Sequence, residues 1–187
     1  GRGNNKAIEI YNPTNQPIDM SEYFLQRYSN GSTTASAQGS PEAKTVQLVG
    51  TIPAYGTMVY VIDLRNPNGS GQTAPVWTEL QDKADHFLNP TYAQNNVMYF
   101  NGNDALLLAK GNATNPTTGT VIHDIFGKIG EDPEATSSGA FNGWTTVAPY
   151  NGTSGDPNDR VVTEDHSMIR KAAIKKGYTP NPPFGAT

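Results

Sequence analysis

A chain of 187 residues with 35% hydrophobic residues, nineteen Gly, fourteen Pro and no Cys is sized for one domain and composed like a turn-rich β protein. A formal net charge of -4 offers no broad attraction to phosphate backbones, and the absence of Cys excludes disulfides, thiol nucleophiles and zinc ribbons. No apolar run approaches the ~20 residues of a membrane-spanning helix.

The chain begins Gly1-Arg2-Gly3, without an initiator Met or an apolar signal region, and reads as a processed fragment from which any export signal has been removed. Residues 6–11 alternate Ile8 and Ile10 with Glu9 and Tyr11, which predicts a strand ended by the Asn12-Pro13-Thr14-Asn15 turn. Residues 23–28 alternate again, and the Ser/Thr/Ala/Gly stretch from Asn30 to Lys44 is expected to be a mobile loop. Val46 and Leu48 mark a short strand, residues 52–56 a turn, and residues 58–62 a strand apolar on both faces. Val76, Trp77, Leu80 and Ala84 recur at near-helical spacing and predict one short helix behind Thr73 or Ala74, with Trp77 in the core.

Residues 97–100 and 105–110 are apolar runs, and Asn101-Gly102 between them predicts a tight hairpin. Another strand follows at 121–126, then a long Gly/Pro/Ser/Thr/Asn-rich segment over 130–160 that holds a short strand at 144–147, and a final strand at 167–171. Residues 177–187, with Pro180, Pro182 and Pro183, read as a Pro-rich extension or linker beyond a domain at 1–176. Seven or eight short strands without a repeat period point to an all-β sandwich with long loops and one short helix.

Each histidine neighbours an aspartate, as Asp85-His86, His123-Asp124 and Asp165-His166, yet adjacent strand residues face opposite sides and no paired-histidine metal spacing occurs. Neither a Gly-x-Ser-x-Gly elbow nor a phosphate-binding P-loop is present, and Glu131-Asp132 sits in a Pro-flanked turn. No catalytic residue, metal ligand or cofactor is expected. Asp156-Pro157-Asn158-Asp159 offers hard oxygen donors that calcium could use, but EF-hand spacing is missing and Asx turns account for the same composition. Among the aromatics Trp77, Trp144, Tyr55, Tyr92 and Tyr150, the exposed candidates for stacking on a sugar are Trp144 and Tyr150. The competing and favoured use of Trp144 is to anchor its loop over a sheet. Arg170-Lys171 with Lys175-Lys176 is the one basic concentration and is read as a solvated strand end.

Four segments in order carry a family resemblance. They are Asn4-Asn5-Lys6-Ala7-Ile8-Glu9-Ile10-Tyr11-Asn12-Pro13-Thr14, Phe100-Asn101-Gly102-Asn103-Asp104-Ala105-Leu106-Leu107-Leu108, Asp124-Ile125-Phe126-Gly127-Lys128-Ile129-Gly130-Glu131-Asp132-Pro133 and Asp165-His166-Ser167-Met168-Ile169-Arg170-Lys171. Together they resemble the lamin-tail domain of secreted bacterial proteins. The resemblance implies an immunoglobulin-like β-sandwich carried by secreted or membrane-attached proteins, including extracellular nucleases and other hydrolases whose enzyme is a separate domain. The chain departs from that pattern by lacking a first strand before Asn4 and a Trp-containing segment at the end, as a chain trimmed at both ends would.

The motif residues have structural tasks. Asn12 ends a strand, Asn101 and Gly102 turn the hairpin, Gly127 permits a bend, and Arg170 is expected to pair with Glu9, Asp104 or Asp124. The resulting expectation is a non-catalytic interaction or targeting module, extracellular or at the cell surface, whose partner is an unidentified protein or glycan and not nucleic acid. Its alternatives are an accessory fragment of an extracellular nuclease or hydrolase and a carbohydrate-binding module.

Overall fold

A computed structural model describes residues 3–133 and 143–181. Its strands are β1 (Ala7–Tyr11), β2 (Ile18–Asp19), β3 (Tyr23–Tyr28), β4 (Thr45–Gln47), β5 (Thr51–Ile52), β6 (Thr57–Ile62), β7 (His86–Leu88), β8 (Ala105–Lys110) and β9 (Val121–Phe126). The single α-helix among the described residues, α1 (Thr78–Gln81), is one turn long, and two 3-10 turns cover Met20–Glu22 and Gly71–Thr73. The fold is therefore an all-β sandwich with long connections.

One sheet has the order β1-β6-β7 and the other β4-β3-β8-β9, while β2 and β5 form a separate ribbon. β1 runs antiparallel to β6 in a register that sets Ile8 opposite Tyr60 and Ile10 opposite Met58. The alternation of β1 thus turns its isoleucines inward and leaves Glu9 outside. β7 pairs with β6 in parallel, Val61 opposite Phe87, which requires the long connection that holds the second 3-10 turn and α1. The principal core joins Leu25 of β3 to Tyr60, Val61 and Ile62 of β6, Leu88 of β7, and the loop residues Met20, Leu48, Val76, Val97 and Met98. A second cluster of Phe24, Leu107, Ala109, Ala113 and Ile125 covers the opposite face of the four-stranded sheet. β3 is buried on both sides for that reason, and β8 is buried on one side and half-buried on the other.

Several expectations change. Residues 97–100 form no strand and no hairpin with β8. Both edges of β8 are already occupied, by β3 and by β9, so no ladder position remains for a third partner. Val97 and Met98 are instead fully buried in a turn pinned by asparagine side chains: Asn95 Oδ1 accepts from the Val97 amide and Asn89 Oδ1 from the Met98 amide. Trp77 is not core. It stands at the N-terminal end of α1 and is 63% exposed, because the one-turn helix has no second turn over which an apolar stripe could run.

Residues 167–171 are irregular and exposed rather than a strand, and around 144–147 only a single bridge forms, between Thr145 and Val161. The 30–44 stretch is irregular but tied down. Gln38 donates its amide to Ala113, Ser36 accepts from Lys44, and Ala43 forms a parallel bridge with Asn95.

Candidate binding pocket

The strand Tyr23–Tyr28 places Leu25 and Arg27 on one face and Phe24 and Gln26 on the other. Arg27 therefore projects into the interior at the end of the sandwich, where β3 finishes and β4 and β8 begin. It is 5% exposed. Its guanidinium donates from Nη1 to the Tyr99 carbonyl at 2.6 Å and from Nη2 to Asn96 Oδ1 at 2.8 Å. Asp104, also buried, lies 3.7 Å from Nη1. That carboxylate accepts further from the backbone amides of Asn30 and Asn101, each at 3.2 Å. Burial raises the Asp104 pKa above its ordinary value, against the opposing pull of Arg27 and the two amides. Burial likewise holds Lys6 below the usual lysine range, opposed by Asp165 and Asp104.

Beside this network opens a cavity of about 410 Å³ lined by Arg27, Ser29, Asn30, Lys44, Gln72, Tyr92, Tyr99 and Asn101. Arg27 donates its backbone amide to the Lys44 carbonyl at 2.9 Å, one step beyond the Gln26–Thr45 pair, so the two cations are cross-strand neighbours. Lys44 has no carboxylate partner among the described residues, and the buried Arg27 Nε has no hydrogen-bond partner. Tyr92 and Tyr99 meet edge to face with centroids 4.9 Å apart, and burial together with Tyr92 raises the Tyr99 pKa.

The residues singled out in the sequence scatter. Asn101 and Asp104 belong to this end of the molecule, Asn101 lining the cavity and Asp104 lying beneath it. Gly102, instead of turning a hairpin, lets the chain approach residues 163–164: at φ +121 a Cβ there would fall 2.8 Å from the Glu164 backbone, and its carbonyl accepts from Thr163 Oγ1. Gly127, at φ +74, makes room for the Trp144 ring, whose Nε1 would lie 2.8 Å from an added Cβ. Trp144 is 9% exposed and donates from Nε1 to the Asp104 carbonyl, so it anchors its loop and offers no platform. Tyr150 is half-buried, its amide donating to Val147 and its carbonyl accepting from Thr145. Trp144, held in packing, does not fit the exposed sugar-stacking role.

Away from the pocket, Asn12 is buried and locks the turn, donating from Nδ2 to the carbonyls of Gln16, Ile52 and Pro53 and accepting at Oδ1 from Thr14. Glu9 lies on the solvent side of β1. Arg170 does pair with Asp124, in a two-pronged contact at 2.8 and 3.1 Å, but from an irregular, substantially exposed segment rather than a strand. The His/Asp neighbours diverge: Asp85 accepts from the Val59 amide while His86 stacks on Tyr60, and His123 leans on Tyr23 while Asp124 binds Arg170. Among the described residues no three His, Asp or Glu side chains converge as a metal site.

In the acidic 156–159 turn, Asp159 is buried. Burial works to raise its pKa, but hydrogen bonds from the Val147 amide, Ser154, Thr145 and Thr146 overcome it and the net shift is downward.

Arg27, Lys44 and Tyr99 were missed in the sequence, and Tyr92 entered only as one of five aromatics. The signal was an Arg at an inward position of an alternating strand, which demands a buried carboxylate and a reason for its burial. Comparison with protein-family models, with curated proteins and with solved structures finds no match.

Proposed function

We propose that this chain is a non-catalytic interaction or targeting module of the lamin-tail kind, an immunoglobulin-like sandwich that works outside the cell or at its surface. The observation that carries the binding role is the cavity at the end of the sandwich, one wall of which is a buried arginine with a donor to spare. Groups fixed in this way recognise a ligand at low entropic cost, because the sheet and the Asp104 network have already ordered them. The motif segments quoted from the sequence support the lamin-tail reading, and the context they imply supports the extracellular location.

The test has two arms. The purified chain is assayed for nuclease and glycosidase turnover with added Mg²⁺, Mn²⁺, Ca²⁺ or Zn²⁺, where no turnover is expected and any turnover abolished by a pocket substitution overturns the reading. Its binding is then surveyed on immobilised glycans. Carbohydrate binding is a second reading favoured by the Tyr92–Tyr99 pair among amide and hydroxyl side chains. It no longer rests on Trp144.

A further inference from the structure

We propose that the pocket takes an acidic sugar, a pyranose bearing a carboxylate, with the carboxylate received between the Arg27 and Lys44 side chains. The inference rests on the binding-module reading and specifies its ligand. Three observations carry it. Arg27 of β3 and Lys44, the residue before β4, stand side by side, and like charges so placed repel unless a negative group lies between or beneath them. Asp104 is the one carboxylate in ion-pair contact with Arg27 among the described residues, it lies at 3.7 Å and is shared with the Asn30 and Asn101 amides, and Lys44 has no carboxylate partner there, so the two cations outnumber the carboxylates that face them. Finally, Arg27 lines the cavity with its Nε unmet by any protein acceptor among the described residues, so its charge is incompletely compensated.

The remaining lining determines what carries the charge. Ser29, Asn30, Gln72 and Asn101 supply hydroxyl and amide groups that both donate and accept, as ring hydroxyls require, and Tyr92 offers an exposed ring at the rim. A space of about 410 Å³ accommodates one sugar ring with part of a second, and is too polar for a lipid chain.

The experiment is a titration of the whole chain with galacturonate, glucuronate, galactose, glucose and acetate, followed by amide chemical shifts. Uronates are expected to move residues at the end of β3 and around 92–101, with affinity falling as salt is raised. Lys44→Ala is expected to weaken uronate binding by roughly 10-fold or more, the usual loss for a charge-assisted hydrogen bond, and Tyr92→Ala by several-fold. Thermal unfolding of Lys44→Ala should match the parent, and that of Tyr92→Ala should fall only by the loss of its Tyr99 contact. Uronate binding that survives Lys44→Ala unchanged, neutral sugars binding as tightly as uronates, or acetate binding as tightly as uronates would each overturn the proposal, as would no binding by any of them. Hydrolysis of a polyuronide by the chain would instead overturn the non-catalytic reading while leaving the ligand class standing.

Discussion

Arg27 and Asp104 illustrate how an ion pair inside a protein is judged by what its loss leaves behind. Removing one partner strands the other in a medium that solvates it poorly. Arg27→Ala is therefore expected to cost ~3–5 kcal/mol in urea unfolding, whereas Lys44→Ala, one position away across the sheet, is expected to stay within ~0.5 kcal/mol. The two buried carboxylates among the described residues titrate in opposite senses. Asp159 has a lowered folded pKa, so its contribution is complete above its ordinary value of 3.8 and is lost as pH falls through the folded value. Asp104 has a raised folded pKa, so its contribution is complete below 3.8 and is lost as pH rises through the folded value. Unfolding of Asp159→Asn measured between acid and neutral pH should show a deficit of ~1–3 kcal/mol at neutral pH that closes on acidification. For Asp104→Asn the pH-dependent part should run the other way. Arg170→Ala removes only a solvent-screened contact and is expected to cost less than ~1 kcal/mol.

The segment that carries Trp144 is an element without regular structure, attached by that ring lying against Gly127 and by the Thr163 hydroxyl bonded to the Gly102 carbonyl. Trp144→Ala is expected to destabilise by ~3–5 kcal/mol and to loosen residues 143–163 first, read as accelerated amide exchange of Thr145 and Val162. Gly127→Ala meets the same contact from the other side and combines it with positive φ, for an expected ~1–3 kcal/mol. The sequence made the long strands legible. β1, β3, β6, β8 and β9 each show alternation or a continuous apolar run bounded by turn residues, and these local signals survive in the fold. Residues 97–100 deceived because a buried turn and a strand present the same short apolar run, and only the occupancy of the β8 edges separates them. Trp77 deceived because four apolar positions at helical spacing were met by only one helical turn. The pocket was illegible for a different reason: its members come from β3, the start of β4, and the loops after β6 and β7, and no local pattern ties Arg27 to Asp104 or Lys44 to Tyr92.

At the scale of the whole molecule, the four-stranded sheet is closed at one end of its strand order by β4 and at the other by β9. Beyond β9 lie residues 178–181. The Tyr178 carbonyl accepts from the Ile125 amide, the Tyr178 amide donates to Asp124, and Asn181 bonds both backbone groups of Ile129. A chain ended after residue 176 loses these bonds. It is expected to be less stable by ~2–6 kcal/mol, each of the four bonds contributing ~0.5–1.5, which for a domain of this size lowers the melting temperature by at least several degrees. The same contacts have a colloidal consequence. An amide left open beside the exposed Val121 and Ile122 is a template on which a strand from another copy can add, the first step toward edge-to-edge aggregation. Residues 178–181 act as a cover on that template, and the shortened chain is expected to scatter light on concentration while its circular dichroism remains that of a folded β protein.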